Sequence, residues 1–193
     1  GWGEAPALKD WGGEFGRYFG ESPAIAGLVI DQYLTPAVTG ADPGNFVELH
    51  QRMDAVIKGY PYAKCAVELA AYDLAGKRSG LAVHALLGGL ARARVAVTHS
   101  IGLIGIAEAE AETAKVAAEG IRTIKIKIGV DPKRDIEMVR TIRNAVGPEV
   151  ELCVDANEGY KTPGEAIRTL RQMEAYGLKY AEQPVMGIER LAE

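Results

Sequence analysis

Thr123-Ile124-Lys125-Ile126-Lys127-Ile128 alternates isoleucine with a polar residue at every step. A strand turns successive side chains to opposite faces, so the three isoleucines share one face and Lys125 and Lys127 the other. Helical patterns flank this strand: Ile106–Glu119 is rich in alanine, and Pro132–Val146 is stopped by Gly147-Pro148. Further out, Val95–Thr98 reads as a strand, Glu151–Asp155 as another, Pro163–Tyr176 as a helix stopped by Gly177, and Leu178–Glu182 as a fourth strand. Strands and helices in alternation predict an α/β sheet of parallel strands with crossover helices. Four strands make either an open sheet or the first half of a (β/α)8-type barrel, which typically takes ~250 residues. The next helix, Gly187–Glu193, begins where the sequence stops, so a fragment or a continuation is expected.

The first half has a different rhythm. Gly1–Ala5 is read as closing a strand, and Lys9–Gly20 as irregular. A helix fits Pro23–Leu34, with Pro36 marking its end. Asp42 is placed to cap a helix opening on Pro43 and running to Lys58. The longest helix is expected over Tyr62–Lys77, with Cys65, Leu69, Tyr72 and Leu74 on its apolar face, and a short one over Val83–Leu87 precedes Gly88-Gly89. The organisation read from this change is a domain over residues 1–90 and a second over 91–193.

Composition narrows the partners. Twenty-two basic and 26 acidic side chains are interspersed with no basic stripe, which argues against nucleic acid. The longest apolar run, from Ala24 to Ile30, is far short of the ~20 residues of a membrane span. Cys65 and Cys153 lie far apart and read as buried thiols in a reducing cytoplasm. His50, His84 and His99 show no metal-ligand spacing and read as ordinary surface or core residues.

The lysine face is the informative one. In a barrel the isoleucines pack under the helices and the lysines enter near the carboxyl-terminal mouth, where barrel enzymes place their chemistry. An amphipathic strand with its lysines in solvent is the alternative, but parallel strands are normally covered on both faces. Two ammonium groups so spaced disfavour each other's charge, which is expected to lower their pKa values toward a range where one can act as a base. Such a pair calls for negative charge nearby. Val154-Asp155-Ala156-Asn157 puts Asp155 and Asn157 on one face, and Tyr180-Ala181-Glu182-Gln183-Pro184 ends the next strand on Glu182. Two carboxylates facing one interior from neighbouring strands repel unless a cation sits between them, and hard oxygen ligands with water favour Mg²⁺. Taken singly, Asp155 also fits a helix cap or turn, Glu182 a loop carboxylate and Asn157 a turn former.

With these motifs the sequence resembles the enolase superfamily, in particular its mandelate racemase and muconate lactonizing branches. The resemblance rests on Lys125-Ile126-Lys127, Val154-Asp155-Ala156-Asn157 and Glu182-Gln183-Pro184. It extends to Gly1-Trp2-Gly3-Glu4-Ala5, Ala63-Lys64-Cys65-Ala66-Val67-Glu68 and Leu86-Leu87-Gly88-Gly89 in the first half. It implies an α+β capping domain over residues 1–90, its first strands missing, and the first half of a TIM-like barrel over 91–193. It implies that Lys127 is the acid/base residue acting on the carbon beside a substrate carboxylate, with Lys125 lowering its pKa and adding positive charge. Asp155 and Glu182 are then Mg²⁺ ligands supported by Asn157, the metal stabilising an enediolate intermediate, and the opposing acid/base group and a third metal carboxylate lie beyond Glu193. Trp11–Phe19 is a candidate specificity loop and Thr98, read at the end of the first barrel strand, a candidate substrate contact.

The implied activity is that of a cycloisomerase, racemase or epimerase of the muconate lactonizing type on a small-molecule carboxylate, homo-oligomeric when complete. Glu182-Gln183-Pro184-Val185 fits that branch best. An acid-sugar or hydroxy-acid dehydratase on the same scaffold is the runner-up, and a non-catalytic fragment or structural relative the alternative of another class.

Overall fold

The computed structural model describes residues 1–6 and 21–192, so Lys9–Gly20, with its Trp11–Phe19 loop, and Glu193 lie outside the described residues. The chain divides into two compact units, Gly1–Ala93 and Arg94–Glu193.

In the first unit the regular elements among the described residues are helices: α1 (Pro23–Val29), α2 (Thr35–Val38), α3 (Phe46–Val56), α4 (Pro61–Ser79) and α5 (Val83–Leu86). The segment expected to close a strand takes no regular structure. It lies on α4 instead, with Trp2 N donating to Asp73 Oδ2 at 2.7 Å. A Cβ on Gly1 or Gly3 would overlap the Ala70 or Ala66 carbonyl, so glycine there allows backbone to meet backbone.

Pro36 does not end its helix. A π-helical turn over Ile30–Leu34 joins α1 to α2, and the helical run continues past Pro36 to Val38. Nor does Asp42 cap α3: Asn45 does, its side chain accepting from Glu48 N at 3.2 Å, while Asp42 Oδ1 takes Gly44 N and the Arg78 guanidinium. On α4 the buried positions are Ala63, Lys64, Ala71 and Gly76, whereas Cys65, Leu69 and Leu74 are exposed. Ala63 joins Ala26, Val29, Leu34 and Met53 in one apolar cluster, with Val67 packed against it. Lys64 is buried because Asp54 Oδ1 and the Ile57 carbonyl accept from its ammonium at 2.6 and 2.7 Å.

The second unit is a four-stranded parallel sheet in the order β1 (Thr98–Ile101), β2 (Thr123–Lys127), β3 (Glu151–Asp155), β4 (Leu178–Glu182). Helices α6 (Ile106–Ala118), α7 (Pro132–Val146) and α8 (Pro163–Met173) make the crossovers, and a short α9 (Ile188–Leu191) follows β4. Caps fix where two of the crossover helices start: Asp131 accepts from Arg134 N, and Thr162 from Glu165 N. The isoleucines of β2 are fully buried with Leu152 and Val154 against Met138, Val139 and Ile142 of α7. That leaves the lysines on the opposite face, as the alternation requires. This is the α/β, half-barrel arrangement of strands and helices read from the sequence.

At the amino-terminal end of the strands one side chain gathers the loops. Arg143, near the end of α7, donates to the carbonyls of Tyr176, Gly147, Val150 and Gly177 at 2.6–3.2 Å. Its planar fork satisfies carbonyls at the end of α7, the start of β3 and the turn before β4 together, which an ammonium cannot reproduce. Arg143→Lys should therefore lower stability by about 1–3 kcal/mol through carbonyls left without donors, read as a shift in the urea midpoint.

Candidate active site

Lys127, Asp155 and Glu182 are the last residues of three consecutive strands and stand side by side in register: Lys127 opposite Asp155, Asp155 opposite Glu182. Paired residues of parallel strands share a face, so the three side chains, and Lys125 two residues earlier, converge at the carboxyl-terminal end. Asp155, 1% exposed, is the centre. Its Oδ2 lies 2.9 Å from Lys125 Nζ and 2.7 Å from Lys127 Nζ, and its Oδ1 accepts from Asn157 N at 3.0 Å. Lys125 also donates to Glu182 Oε2 at 2.8 Å, and Lys127 to the side-chain oxygen of Asn157. Two ammonium groups and two carboxylates thus form one network.

The backbone bends sharply just past these residues. Asn157, Glu158 and Gln183 all have positive φ (42°, 65° and 41°), a conformation that side chains other than glycine adopt at a cost and that clusters at functional sites. Ala156 N donates to the Glu182 carbonyl and Glu158 N to the Gln183 carbonyl, so the two bends are held together.

The electrostatics correct one expectation. Burial pulls the Lys125 ammonium down, but hydrogen bonds to Glu182 and Asp155 and their charges outweigh it, and its pKa is raised rather than lowered. Burial likewise pushes Asp155 up, yet hydrogen bonds from Lys127, Lys125 and Asn157 N hold its carboxyl below the usual range. Lysine–lysine repulsion is the weaker effect while both carboxylates face the pair.

Thr98 is the residue this geometry does not bring in. The first strand runs Thr98–Ile101, not Val95–Thr98, so Thr98 opens it and pairs with Thr123 at the far end of the sheet. Val95 and Val97, whose apolar character placed the strand early, are 73% and 65% exposed. The hydroxyl in register with Lys125 is Ser100, and extending the strand to the break at Gly102 would have found it. Cys153, also in register with Lys125, is buried on the same face, whereas Cys65 is exposed rather than buried as expected. His50 and His99 pair with Glu68 and Glu112 at 3.1 and 2.7 Å.

For magnesium, the donor set fits. Asp155 and Glu182 offer hard oxygens from adjacent register positions, and Mg²⁺ commonly takes one or two carboxylates and completes its octahedron with water or substrate. No group of three His, Cys, Asp or Glu among the described residues could hold a metal by itself.

Residues 6–88 match the family described as "Mandelate racemase / muconate lactonizing enzyme, N-terminal domain", and residues 107–193 match "Enolase C-terminal domain-like". The chain belongs to the mandelate racemase/muconate lactonizing enzyme family of the enolase superfamily. An L-Ala-D/L-Glu epimerase of Clostridium acetobutylicum is 39% identical over 158 residues, 81% of this chain and 44% of that protein. The solved N-succinyl Arg/Lys racemase of Bacillus cereus superposes with a TM-score of 0.87 at 30% identity, covering 98% of this chain and 50% of that one. A dipeptide epimerase of Enterococcus faecalis, solved with Mg and the dipeptide L-Leu-L-Tyr, gives 0.80 at 32% identity over 86% of this chain and 46% of that one. The chain thus spans about half the length of these relatives.

The network sets a pH response for the family site. The depressed Asp155 contributes stability that is present above its unfolded pKa of ~3.9 and lost as pH falls through its lower folded value. The raised Lys125 contributes stability present below ~10.4 and lost as pH rises through its higher folded value. In EDTA, wild-type protein should hold a urea-midpoint plateau between these limits. Asp155→Asn should lower the plateau by about 1–3 kcal/mol, because two ammonium groups lose their shared partner, and should fall less steeply below pH 4.

Proposed function

We propose that this chain supplies the first half of the active site of a cytoplasmic, magnesium-dependent racemase or epimerase that removes and returns a proton beside the carboxylate of an amino-acid derivative. The observation that carries this reading is the convergence of Lys125, Lys127, Asp155 and Glu182 at the carboxyl ends of three consecutive parallel strands. The relatives' reactions favour racemisation or epimerisation of N-acyl amino acids or dipeptides within the broader cycloisomerase, racemase and epimerase class. The magnesium in the dipeptide epimerase favours the metal.

Asp155 and Glu182 are the carboxylates that would hold Mg²⁺, with Asn157 buttressing Asp155 through its backbone N–H. When bound, the ion supplies a divalent charge against which the carboxylate of a weak carbon acid can carry extra electron density. With Asp155 and Glu182 so engaged, Lys125 loses the partners that raise its pKa. Two ammonium groups on one face then repel, and giving up one proton relieves the pair. Lys127, at the strand end and nearest the mouth, is the amine that takes the α-proton and, as an ammonium, the acid that returns it. Lys125 stays charged and orients the substrate carboxylate. Ser100, in register with Lys125, borders the same face.

The full-length enzyme should exchange the α-proton of an N-acyl amino acid or dipeptide with D2O in the presence of Mg²⁺ and cease to do so in EDTA. Lys127→Met should reduce exchange from one face by ~10²–10⁴-fold, the usual contribution of a general base, as followed by ¹H NMR. Undiminished exchange in that variant would falsify the assignment of the base, and loss of water from the substrate would make the protein a dehydratase.

A further inference from the structure

Among the described residues of the second unit, one buried acidic side chain lies outside the network just described. Asp135, in the first turn of α7, is fully buried, and nothing in the proton-transfer chemistry uses it. Its Oδ2 accepts from Gly129 N at 2.8 Å, Val130 N at 3.2 Å and the Tyr160 hydroxyl at 3.1 Å. Its Oδ1 accepts from Arg134 Nη1 at 3.2 Å, and Arg134 Nη2 donates to the Ile104 carbonyl at 2.7 Å. Tyr160, itself buried, sends its backbone N–H to the Pro184 carbonyl at 3.2 Å.

These contacts reach every loop at the carboxyl end of the sheet. Ile104 belongs to the loop after β1, Gly129 and Val130 to that after β2, Tyr160 to that after β3 and Pro184 to that after β4. Three of the four attachment points are close in sequence to a residue of the site. Lys127 is two residues before Gly129, Asn157 three before Tyr160 and Glu182 two before Pro184. Gly129 and Gly159 add a close backbone approach, since a Cβ on Gly159 would overlap the Gly129 carbonyl. A buried carboxylate is costly unless every lone pair finds a donor, and here both oxygens do.

Resting on the proton-transfer reading above, we propose that Asp135 is a positioning residue. By holding Gly129, Val130 and Tyr160 on one carboxylate, it fixes the end of β2 against the end of β3 and so sets where the Lys127 ammonium stands relative to Asp155 and the substrate α-carbon. Reacting atoms displaced by about 1 Å lose ~10²-fold in rate, so a hub two residues from the base can govern catalysis without touching substrate.

The test uses the full-length enzyme as wild type, Asp135→Asn, Tyr160→Phe and Arg143→Lys, each assayed at a temperature where it is folded. Asp135→Asn keeps the shape but turns one acceptor into a donor facing other donors. Its kcat for α-proton exchange should fall ~10²-fold with KM for substrate unchanged, and the primary isotope effect on the α-proton should grow as proton transfer becomes limiting. Tyr160→Phe removes one donor of four and should show the same pattern to a smaller degree. Arg143→Lys should lose stability and keep kcat. Amide hydrogen exchange should quicken in Asp135→Asn at residues 129–130 and also at 156–161, on the neighbouring loop. A lowered unfolding midpoint with kcat and isotope effect unchanged would make Asp135 merely structural and overturn the proposal. Unaltered protection at 156–161 would overturn it equally, because the loops would not then be coupled. Absence of α-proton exchange in the wild type would bring down the reading of function instead, with the coupling of the loops still decided by the hydrogen-exchange arm.

Discussion

Asp155 is the point on which both fold and site depend. It closes β3, it is buried, and one of its oxygens faces two ammonium groups. Lys125 and Lys127 share a face inside a parallel sheet because that oxygen and Glu182 offset their repulsion, and the lysines, with the Asn157 N–H, hold the carboxyl below its usual range. Each side of the pairing makes the other tolerable at low exposure. Strand register sets this mutual dependence, since Lys127, Asp155 and Glu182 end three strands at the same height.

The same arrangement explains how one set of charges can serve two states. With lysines as counter-ions the cluster is close to neutral and stable. On the proposed reading, a divalent cation would become the counter-ion of the carboxylates and leave the two lysines facing one another.

Much of this was legible in the sequence, and the errors have physical causes. The bounds of α7, β3 and β4 agree with the reading from Gly, Pro and alternation, since Gly147-Pro148 and Gly177 are stops whatever surrounds them. The first strand was placed three residues early because Val95-Ala96-Val97 is apolar, yet those residues are exposed and Ile101 is the one that packs in the core. The direction of the Lys125 shift is not legible in sequence because lysine–lysine spacing is visible along one strand, whereas the approach of Glu182, 57 residues on, depends on register. Pro36 was read as a stop because a π-helical turn leaves no local signature. Asp135 carries no motif for a similar reason: its partners are two backbone amides, the neighbouring Arg134 guanidinium and a hydroxyl 25 residues away.

The two ends of the sheet use one device for different purposes. At the amino-terminal end Arg143, a donor with a rigid fork, collects four carbonyls left by the end of α7 and the turns into β3 and β4. At the carboxyl-terminal end Asp135, an acceptor at a helix start, collects amide donors left where β2 ends. The polarity follows from chain direction: helices arrive at the lower end presenting carbonyls and depart from the upper end presenting N–H groups. A cation below and an anion above are therefore what a parallel strand–helix unit calls for on purely local grounds. What differs is the consequence of failure. On the proposed roles, a slackened lower end would cost stability alone. A slackened upper end would reach Lys127 through Ile128 alone, and so short a lever arm leaves no room for the error to be absorbed.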